Sequence, residues 1–256
     1  MTMIVLPPSE GKATASSRNT LKLKTLSFPE LTPQREQALA GLSTLSNGSL
    51  ARARAALGLT KNQDFEISRN QELLNAPAAP AWQVYTGVLY EAIGIGGLSA
   101  RVMSKLCDST YVMSALFGLI SIGDKIPAYR LSGDCTLPKV GTLTKLWSPV
   151  VSSVFGNTDK FIIDLRSGTY VSLGQIPLAA NSVTPRILQK MPSGPPKVIT
   201  HHNKATKGRI VRAIVQQTKS IEDVESLAEV VSALGADVEV QHTKGRSVLN
   251  VVVAAF

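Results

Sequence analysis

One stretch whose residue types and spacing could bind a phosphate is glycine-rich and reads GIGGLSARVM, residues 94–103. Glycines at Gly94 and Gly96 let backbone N–H groups approach a phosphate closely, and the start of a following helix adds positive potential. Arg101 and Lys105 stand one turn apart in that helix and can add charge-assisted contacts. The pattern predicts a helix-hairpin-helix element over residues 84–106 that grips a DNA backbone without reading its sequence. The alternative is that the glycines only separate two consecutive helices.

A second group of cations predicts a polyanion site. Lys204, Lys207 and Arg209 fall at the expected start of a helix, where the terminal amides contribute positive potential of their own. A cationic helix start is unfavourable unless an anion binds there. The alternative is a solvated basic face.

Candidate acid and base groups follow the apolar run at the beginning of the chain. Glu10 and Lys12 of PPSEGK come at the exit of a predicted buried strand, a common position for groups that serve a cleft. Glu10, Asp124 and Tyr85 are the candidates for acid–base catalysis. The alternative for Glu10 and Lys12 is a solvated turn.

Two further pairs of opposite charge leave structural and functional interpretations open. In GDKIPAYR, Asp124 and Arg130 flank Pro127, so they either lock this loop as an ion pair or leave Arg130 to line an anion site. Asp164 and Arg166 alternate along a predicted strand and therefore share one face. Half-buried charges on such a face must be paired, which favours a structural network, although Arg166 is also a candidate anion ligand.

The sequence predicts no metal site and no cofactor. His201 and His202 are adjacent on a predicted strand, so they would point to opposite faces, and no carboxylate stands at the spacing of known iron sites. No Walker loop, dinucleotide fingerprint, zinc-protease motif or nucleophile elbow occurs. We interpret Cys107 and Cys135 as reduced structural thiols.

The elements that must position these groups mix strands and helices without strict alternation. Strands are predicted at MIVLPP, TYVMSALFGLI, FIIDLRSG and PPKVITHH, and a hairpin is predicted at the end of the chain. Helices are predicted at VYTGVLYEAI, from about Lys204, and over residues 221–234, the last with a Ser220–Asp223 capping box. Residues 9–27 are predicted to form a surface loop. These patterns predict a single domain over residues 1–256, of α+β or irregular mixed α/β class, whose mixed sheet is built from distant parts of the chain.

The charge and hydropathy of the chain indicate which kinds of partner to expect. The chain has 27 Lys and Arg against 18 Asp and Glu, so its net charge of +9 favours a nucleic-acid or other polyanionic partner. No apolar run is long enough to span a membrane, and the first residues lack the layout of a signal peptide. We therefore expect a cytoplasmic protein with no membrane partner.

Six segments, taken together and in order, resemble the YaaA peroxide-stress protein family. They are LPPSEGK, YTGVLYEA, SALFGLISIGDKIPAYRLSG, TLTKLW, DLRSGTY and KATKGRIVRAI. The resemblance implies a mixed α/β fold and a cytosolic bacterial protein that helps cells survive hydrogen peroxide by limiting intracellular free iron. It also implies binding to double-stranded DNA, with a helix-hairpin-helix-like element beside a basic cleft.

Two hypotheses for function follow. The first is a protein that holds duplex DNA non-specifically in a basic cleft, with the glycine hairpin at its edge. The cleft would be lined by Lys12, Arg130, Lys204, Lys207 and Arg209. The second is an enzyme that uses the same cleft, with Glu10, Asp124 and Tyr85 as acid–base groups, on a phosphorylated small molecule or a damaged nucleotide. We favour binding, because no nucleophile–base pair can be named from the sequence.

Overall fold

The computed structural model describes residues 1–198, 200–243 and 245–254, with residues 200–202 described by their backbone alone. Its strands are β1 (Thr2–Leu6), β2 (Ala78–Pro80), β3 (Thr110–Ser114), β4 (Gly118–Ser121), β5 (Lys125–Pro127), β6 (Thr136–Leu137), β7 (Gly141–Thr142), β8 (Phe161–Asp164), β9 (Ser182–Gln189), β10 (Asp237–Thr243) and β11 (Arg246–Val253). Its α-helices are α1 (Thr32–Ser46), α2 (Leu50–Ala56), α3 (Phe65–Gln71), α4 (Ala81–Val84), α5 (Val88–Ile93), α6 (Ala100–Ser109), α7 (Leu143–Gly156), α8 (Gly168–Val171), α9 (Thr200–Gln216) and α10 (Val224–Ser232). No described helix is both long enough and apolar enough to cross a membrane.

A seven-stranded mixed sheet forms the centre of the molecule, in the order β10-β11-β9-β8-β1-β3-β4. Its five inner strands run parallel, and the edge strands β4 and β10 each pair antiparallel with their neighbour. Residues 3–6 of β1 are buried without interruption, as expected for a parallel strand covered on both faces. The predicted mixed α/β class, with a sheet assembled from distant segments, is confirmed.

The strand order creates a crevice at one edge of the sheet. From β1 the chain passes to β3 on one side. From β8, which lies on the other side of β1, it passes to β9, farther from β1. The segments that leave the carboxyl ends of β1 and β8 therefore diverge, and such switch points are where open α/β sheets bind ligands. The fold thus brings residues 7–12 and residues 165–170 to one edge.

The predicted single helix over residues 84–93 is wrong, because the chain breaks between α4 and α5. Tyr85 is extended and forms an isolated β-bridge with Lys12, and Gly87 takes a positive φ of 93° that permits the new start at Val88. The predicted buried strand TYVMSALFGLI, expected to pass into a turn at Gly118, turns earlier: β3 ends at Ser114, and β4 begins at Gly118 and pairs antiparallel with it. The buried Tyr85 is thereby held beside the loop that follows β1.

Three predictions for the second half of the chain need correction. The segment PPKVITHH is not a strand: α9 begins at Thr200, and residue 199 lies outside the described residues. The neighbouring strand is β9, which the sequence pattern did not predict. The last helix, α10, begins at Val224, where Asp223 and Ser226 form the capping box in place of Ser220 and Asp223. The terminal hairpin, β10 and β11, forms as predicted.

Helix α9 lies unusually close to α5. A Cβ placed on Gly208 would lie 2.7 Å from the Cβ of Ala92 and would also collide with the carbonyl oxygen of Leu89. Only glycine allows this approach, so α9 fixes the position of α5 and of the glycine turn that follows it.

The predicted surface loop over residues 9–27 contains one 3-10 turn, Leu23–Thr25. It also contributes to the interior, because Lys12 and Leu26 are buried. The loop is held to the end of α4 by a hydrogen bond from the Ala13 amide to the Val84 carbonyl, 2.9 Å long.

Candidate functional site

Lys12 is the centre of a polar cluster at the carboxyl edge of the sheet. The two prolines after β1 turn the chain, and the Lys12 side chain folds back so that its Nζ donates to the carbonyls of Ser9 at 2.8 Å and Glu10 at 3.3 Å. Its Nζ also lies 4.3 Å from the ring centre of Tyr129 and 5.6 Å from that of Tyr85. We call Glu10, Lys12, Tyr85, Tyr129 and Arg130 the Lys12 site.

Burial changes the protonation of Lys12. Lys12 is 9 % exposed, and its desolvation, assisted by the positive charge of Arg130, lowers the pKa of Lys12 from 10.5 to about 7. The carboxylates of Glu66 and Glu10 oppose this shift only in part. Near neutral pH a large fraction of Lys12 is therefore an uncharged amine, which can act as a base or a nucleophile.

A chain of hydroxyl groups lies under Lys12. The hydroxyls of Tyr85 and Tyr129 are 3.0 Å apart, and that of Tyr129 is 2.8 Å from Ser114 Oγ. Ser114 Oγ accepts hydrogen bonds from the amides of Leu116 and Phe117, so its own hydrogen is directed to Tyr129. Tyr129 then donates to Tyr85. Burial raises the pKa of Tyr85 and of Tyr129 far above their usual value, so both phenols are neutral.

Arg130 and Glu10 form the outer side of the Lys12 site. Arg130 Nη1 lies 3.6 Å from Glu10 Oε2, and the Glu10 side chain is 77 % exposed whereas that of Arg130 is 13 % exposed. The backbone of Arg130 is fixed by Asn70, whose side chain both accepts from its N–H and donates to its carbonyl. Arg130 Nε is buried and has no hydrogen-bond partner among the described residues.

Asp124, a predicted acid–base candidate, has a structural role elsewhere. Its carboxylate accepts from the amide of Ser27 at 2.8 Å, from the hydroxyl of Ser27 at 3.0 Å and from the amide of Ser121 at 3.0 Å. Nearby Arg35, fully buried, donates to the carbonyls of Ser27, Phe117 and Leu119. The expected pairing of Asp124 with Arg130 is therefore replaced by contacts that fasten the loop before α1 to the β4 region.

Arg166 and Lys207 are turned inward and are not placed to meet a polyanion. Arg166 donates through Nε and Nη2 to the two oxygens of Asp164, each at 2.8 Å, and its side chain is inaccessible to solvent. Lys207 Nζ donates to the carbonyls of Leu165 at 2.8 Å and Arg166 at 3.3 Å, and burial lowers the pKa of Lys207. Of the two interpretations of Asp164 and Arg166, the structure contains the paired structural network. Lys207 also ties α9 to the segment that leaves β8.

The glycine stretch does form a turn between two helices. Gly94 ends α5 in the left-handed conformation, with φ 63°, and residues Ile95–Gly97 make one 3-10 turn. Ser99 then caps α6, its Oγ accepting from the amide of Val102 at 3.4 Å. Gly96 is exposed, and an added Cβ would meet no atom within 4 Å.

Arg212, which was not among the predicted site residues, holds this turn in place. Its Nη1 donates to the carbonyls of Ile93 and Gly94, both at 2.8 Å, so it satisfies the carboxyl end of α5. The sequence feature that could have identified Arg212 is its spacing of three residues from Arg209, because residues three apart are neighbours on the surface of a helix. We define the hairpin surface as residues 94–97 together with Arg101 and Arg212.

The remaining predicted cations lie on α6 and α9, the helix that follows the turn and the helix that carries Arg212. Arg101 is exposed in the first turn of α6, and Lys204 and Arg209 are exposed on α9. Lys105 instead donates to the Gln217 carbonyl at 2.8 Å, beyond the end of α9, and burial lowers the pKa of Lys105. The side chains of His201 and His202 lie outside the described residues. Among the described residues, no three His, Cys, Asp or Glu side chains are grouped so that they could hold a metal ion.

Known proteins resemble this chain over nearly its whole length. A family model described as peroxide stress protein YaaA matches residues 2–235. A UPF0246 protein of Streptomyces coelicolor is 38 % identical over 245 residues, which is 93 % of this chain and 92 % of that protein. A UPF0246 protein of Corynebacterium efficiens is 35 % identical over 254 residues, covering 98 % of this chain and all of the other.

Proposed function

Since the chain belongs to the YaaA peroxide stress protein family, we propose that it binds double-stranded DNA at the hairpin surface during peroxide stress. The contacts are made to phosphates and are independent of sequence. We also propose that its effect in the cell is to limit intracellular free iron, as the family resemblance implies. The observation that carries the proposal is the exposed glycine turn between two helices, fixed from behind by Arg212.

The geometry of the turn suits a phosphate. The first amides of the single 3-10 turn at Ile95 and Gly96, and those at the start of α6, have no carbonyl partner within their own helix. Without a side chain at Gly96, a phosphate oxygen can approach the backbone there. The positive end of α6 and the charge of Arg101 both favour an anion at this point.

Charges beyond the turn extend the favourable potential. Lys204 and Arg209 are exposed on α9, the helix that carries Arg212. The net charge of +9 attracts a polyanion at long range. The proposed contact surface thus lies along α9 and the hairpin, rather than in the cleft expected from the sequence, because Lys12 and Lys207 donate their hydrogen bonds to carbonyls of the protein.

Substitution at Gly96 tests this surface directly. Gly96→Glu places a negative charge where a phosphate is expected, and the backbone there suits any residue because its φ is not positive. We expect at least a tenfold loss of affinity for a fluorescent duplex, measured by anisotropy at low salt. Gly96→Ala adds a Cβ where the phosphate is expected to approach but adds no charge, so its loss of affinity should be clearly smaller than that of Gly96→Glu.

Gly168→Glu serves as the matched control for the added charge. Gly168 is exposed, an added Cβ there meets no atom within 4 Å, and it lies after β8 at the carboxyl edge of the sheet. We expect its effect on affinity to be small. If Gly168→Glu weakens DNA binding more than Gly96→Glu does, the DNA lies at the carboxyl edge and the proposed surface is wrong.

A further inference from the structure

The Lys12 site shares no residue with the hairpin surface, and the proposed DNA contacts do not involve it. We propose that Lys12 is a nucleophilic amine that forms a reversible imine with a small aldehyde or keto acid whose carboxylate is held by Arg130. The proposal goes beyond DNA binding and does not depend on it.

The position of the Lys12 site favours a small-molecule ligand. Lys12 follows β1, one of the two strands whose outgoing segments diverge at the switch point of the sheet. The loop that carries it is held rigidly: Ser9 Oγ accepts from the amide of Thr86 at 3.1 Å, and Tyr90 donates to the Pro7 carbonyl at 2.8 Å. A reactive group on a fixed loop at this edge matches the usual placement of ligand sites in α/β proteins.

The hydrogen bonds of Lys12 orient its lone pair. An uncharged amine has two N–H donors, and the carbonyls of Ser9 and Glu10 account for two hydrogen bonds. The lone pair of the amine is then directed away from both carbonyls. The lowered pKa of Lys12, caused by burial and then by Arg130, supports the presence of this uncharged form near neutral pH.

Arg130 supplies the recognition of an anion. Its side chain is largely buried, its Nε lacks a partner among the described residues, and its contact with Glu10 is long at 3.6 Å. Because the Glu10 carboxylate is mostly exposed, that ion pair contributes little and a ligand carboxylate can replace it. A guanidinium can hold a carboxylate through two parallel hydrogen bonds. Lys12 Nζ donates to the Glu10 carbonyl at 3.3 Å and Arg130 Nη1 lies 3.6 Å from the Glu10 carboxylate, so the two groups are near enough to bind one small molecule.

The reaction needs no oxidant, reductant or metal. The Lys12 nitrogen attacks the carbonyl carbon, a C–N bond forms, and a proton passes from nitrogen to the former carbonyl oxygen. The resulting carbinolamine loses its hydroxyl group with the second nitrogen hydrogen as one molecule of water, and the C=N bond of the imine remains. Glu10, exposed at the outer side, is placed to exchange protons with solvent during these steps.

Reductive trapping with glyoxylate tests the proposal. The folded protein is incubated with glyoxylate and sodium cyanoborohydride at pH 7, and carboxymethylated lysines are located and timed by peptide mass spectrometry. At this pH about half of Lys12 is uncharged, against roughly one part in three thousand for an ordinary exposed lysine. We expect Lys12 to react at least tenfold faster than Lys145, an exposed lysine on α7. Equal or slower reaction of Lys12 overturns the proposal.

Two variants separate chemistry from recognition. Lys12→Arg should abolish the fast-reacting site. Arg130→Gln raises the pKa of Lys12 and so slows the trapping of both aldehydes, but glyoxylate should be slowed at least fivefold more than acetaldehyde, which has no carboxylate. Equal slowing with both aldehydes, or no slowing with either, refutes the role of Arg130. Thermal unfolding of each variant confirms that it is folded, and DNA binding measured in parallel is expected to be unchanged.

Discussion

Replacement of Gly208 by alanine tests how the fold positions the hairpin surface. The Cβ of alanine would lie 2.7 Å from the Cβ of Ala92 and would collide with the Leu89 carbonyl. Both neighbours belong to α5, and the colliding atom is backbone, so rotation of a flexible side chain cannot relieve the contact. The two helices must move apart, which also moves Gly94.

Two effects of opposite sign determine how much Gly208→Ala changes the free energy of unfolding. Alanine is favoured over glycine inside a helix by about 1 kcal/mol. Overpacking at a site with little freedom costs about 3 kcal/mol. The expected net loss in the free energy of unfolding is therefore about 2 kcal/mol, equivalent to a fall in Tm of roughly 4 to 8 °C for a chain of this size.

Urea unfolding followed by circular dichroism measures the loss of stability, and anisotropy measures DNA affinity in the same preparation. We expect Gly208→Ala to weaken DNA binding as well, because Arg212 lies on the same helix and holds the turn. Gly168→Ala, at an open position, is the control and should change stability by less than about 0.5 kcal/mol. A Gly208→Ala variant as stable as the native chain would refute the close packing of α5 on α9.

Three further substitutions have defined outcomes. For Lys12→Met the test is the pH dependence of stability. The pKa of Lys12 is about 7 in the folded chain and 10.5 in the unfolded chain. Burial of Lys12 therefore lowers the free energy of unfolding of the native chain by its full amount below pH 7, and by less and less as the pH rises to 10.5. Between pH 7 and 10.5 the free energy of unfolding of the native chain, measured in urea, should therefore rise relative to that of the variant. The rise is at most about 5 kcal/mol, from (10.5 − 7) × 1.36, and parallel pH profiles of the two proteins would contradict this. Asp164→Asn leaves the buried Arg166 guanidinium without its counter-charge and should cost about 3 to 5 kcal/mol in the same assay, whereas a loss under 1 kcal/mol would show that the pair is dispensable. Arg212→Gln removes two hydrogen bonds to the end of α5 and should cost about 1 to 2 kcal/mol and weaken DNA binding, and unchanged DNA affinity would separate Arg212 from the hairpin surface.

Much of the architecture could be predicted from local patterns. The apolar run at β1 and the β-branched run at β8 identified two central strands, because parallel strands are buried on both faces and leave a continuous apolar signal. Strand β9 was missed because its exposed Thr184 and Arg186 and its internal Pro185 weaken that signal. A propensity argument could not detect the break at Tyr85 either, since a bridge to the distant Lys12 stabilises it.

The functional groups were harder to predict than the strands. Residue type and charge identified Lys12, Arg130 and Arg101, but not which of them are buried. Whether a lysine faces solvent or donates to carbonyls depends on where the neighbouring loops end, which is a property of the folded chain. Lys207 and Lys105 illustrate this, because each donates to a carbonyl of a distant segment. Arg212 was overlooked because its partner carbonyls are more than a hundred residues away.

The salt dependence of DNA binding tests the central claim most directly. The affinity of the native chain and of the double variant Arg101→Gln with Lys204→Gln should be measured by anisotropy on two unrelated duplexes over a range of salt concentrations. Each phosphate contact contributes about 0.9 to the slope of log affinity against log salt, so the double variant should show a slope shallower by about 1.8 on both duplexes. A native slope near zero, or an identical slope in the double variant, would contradict binding through phosphates at this surface.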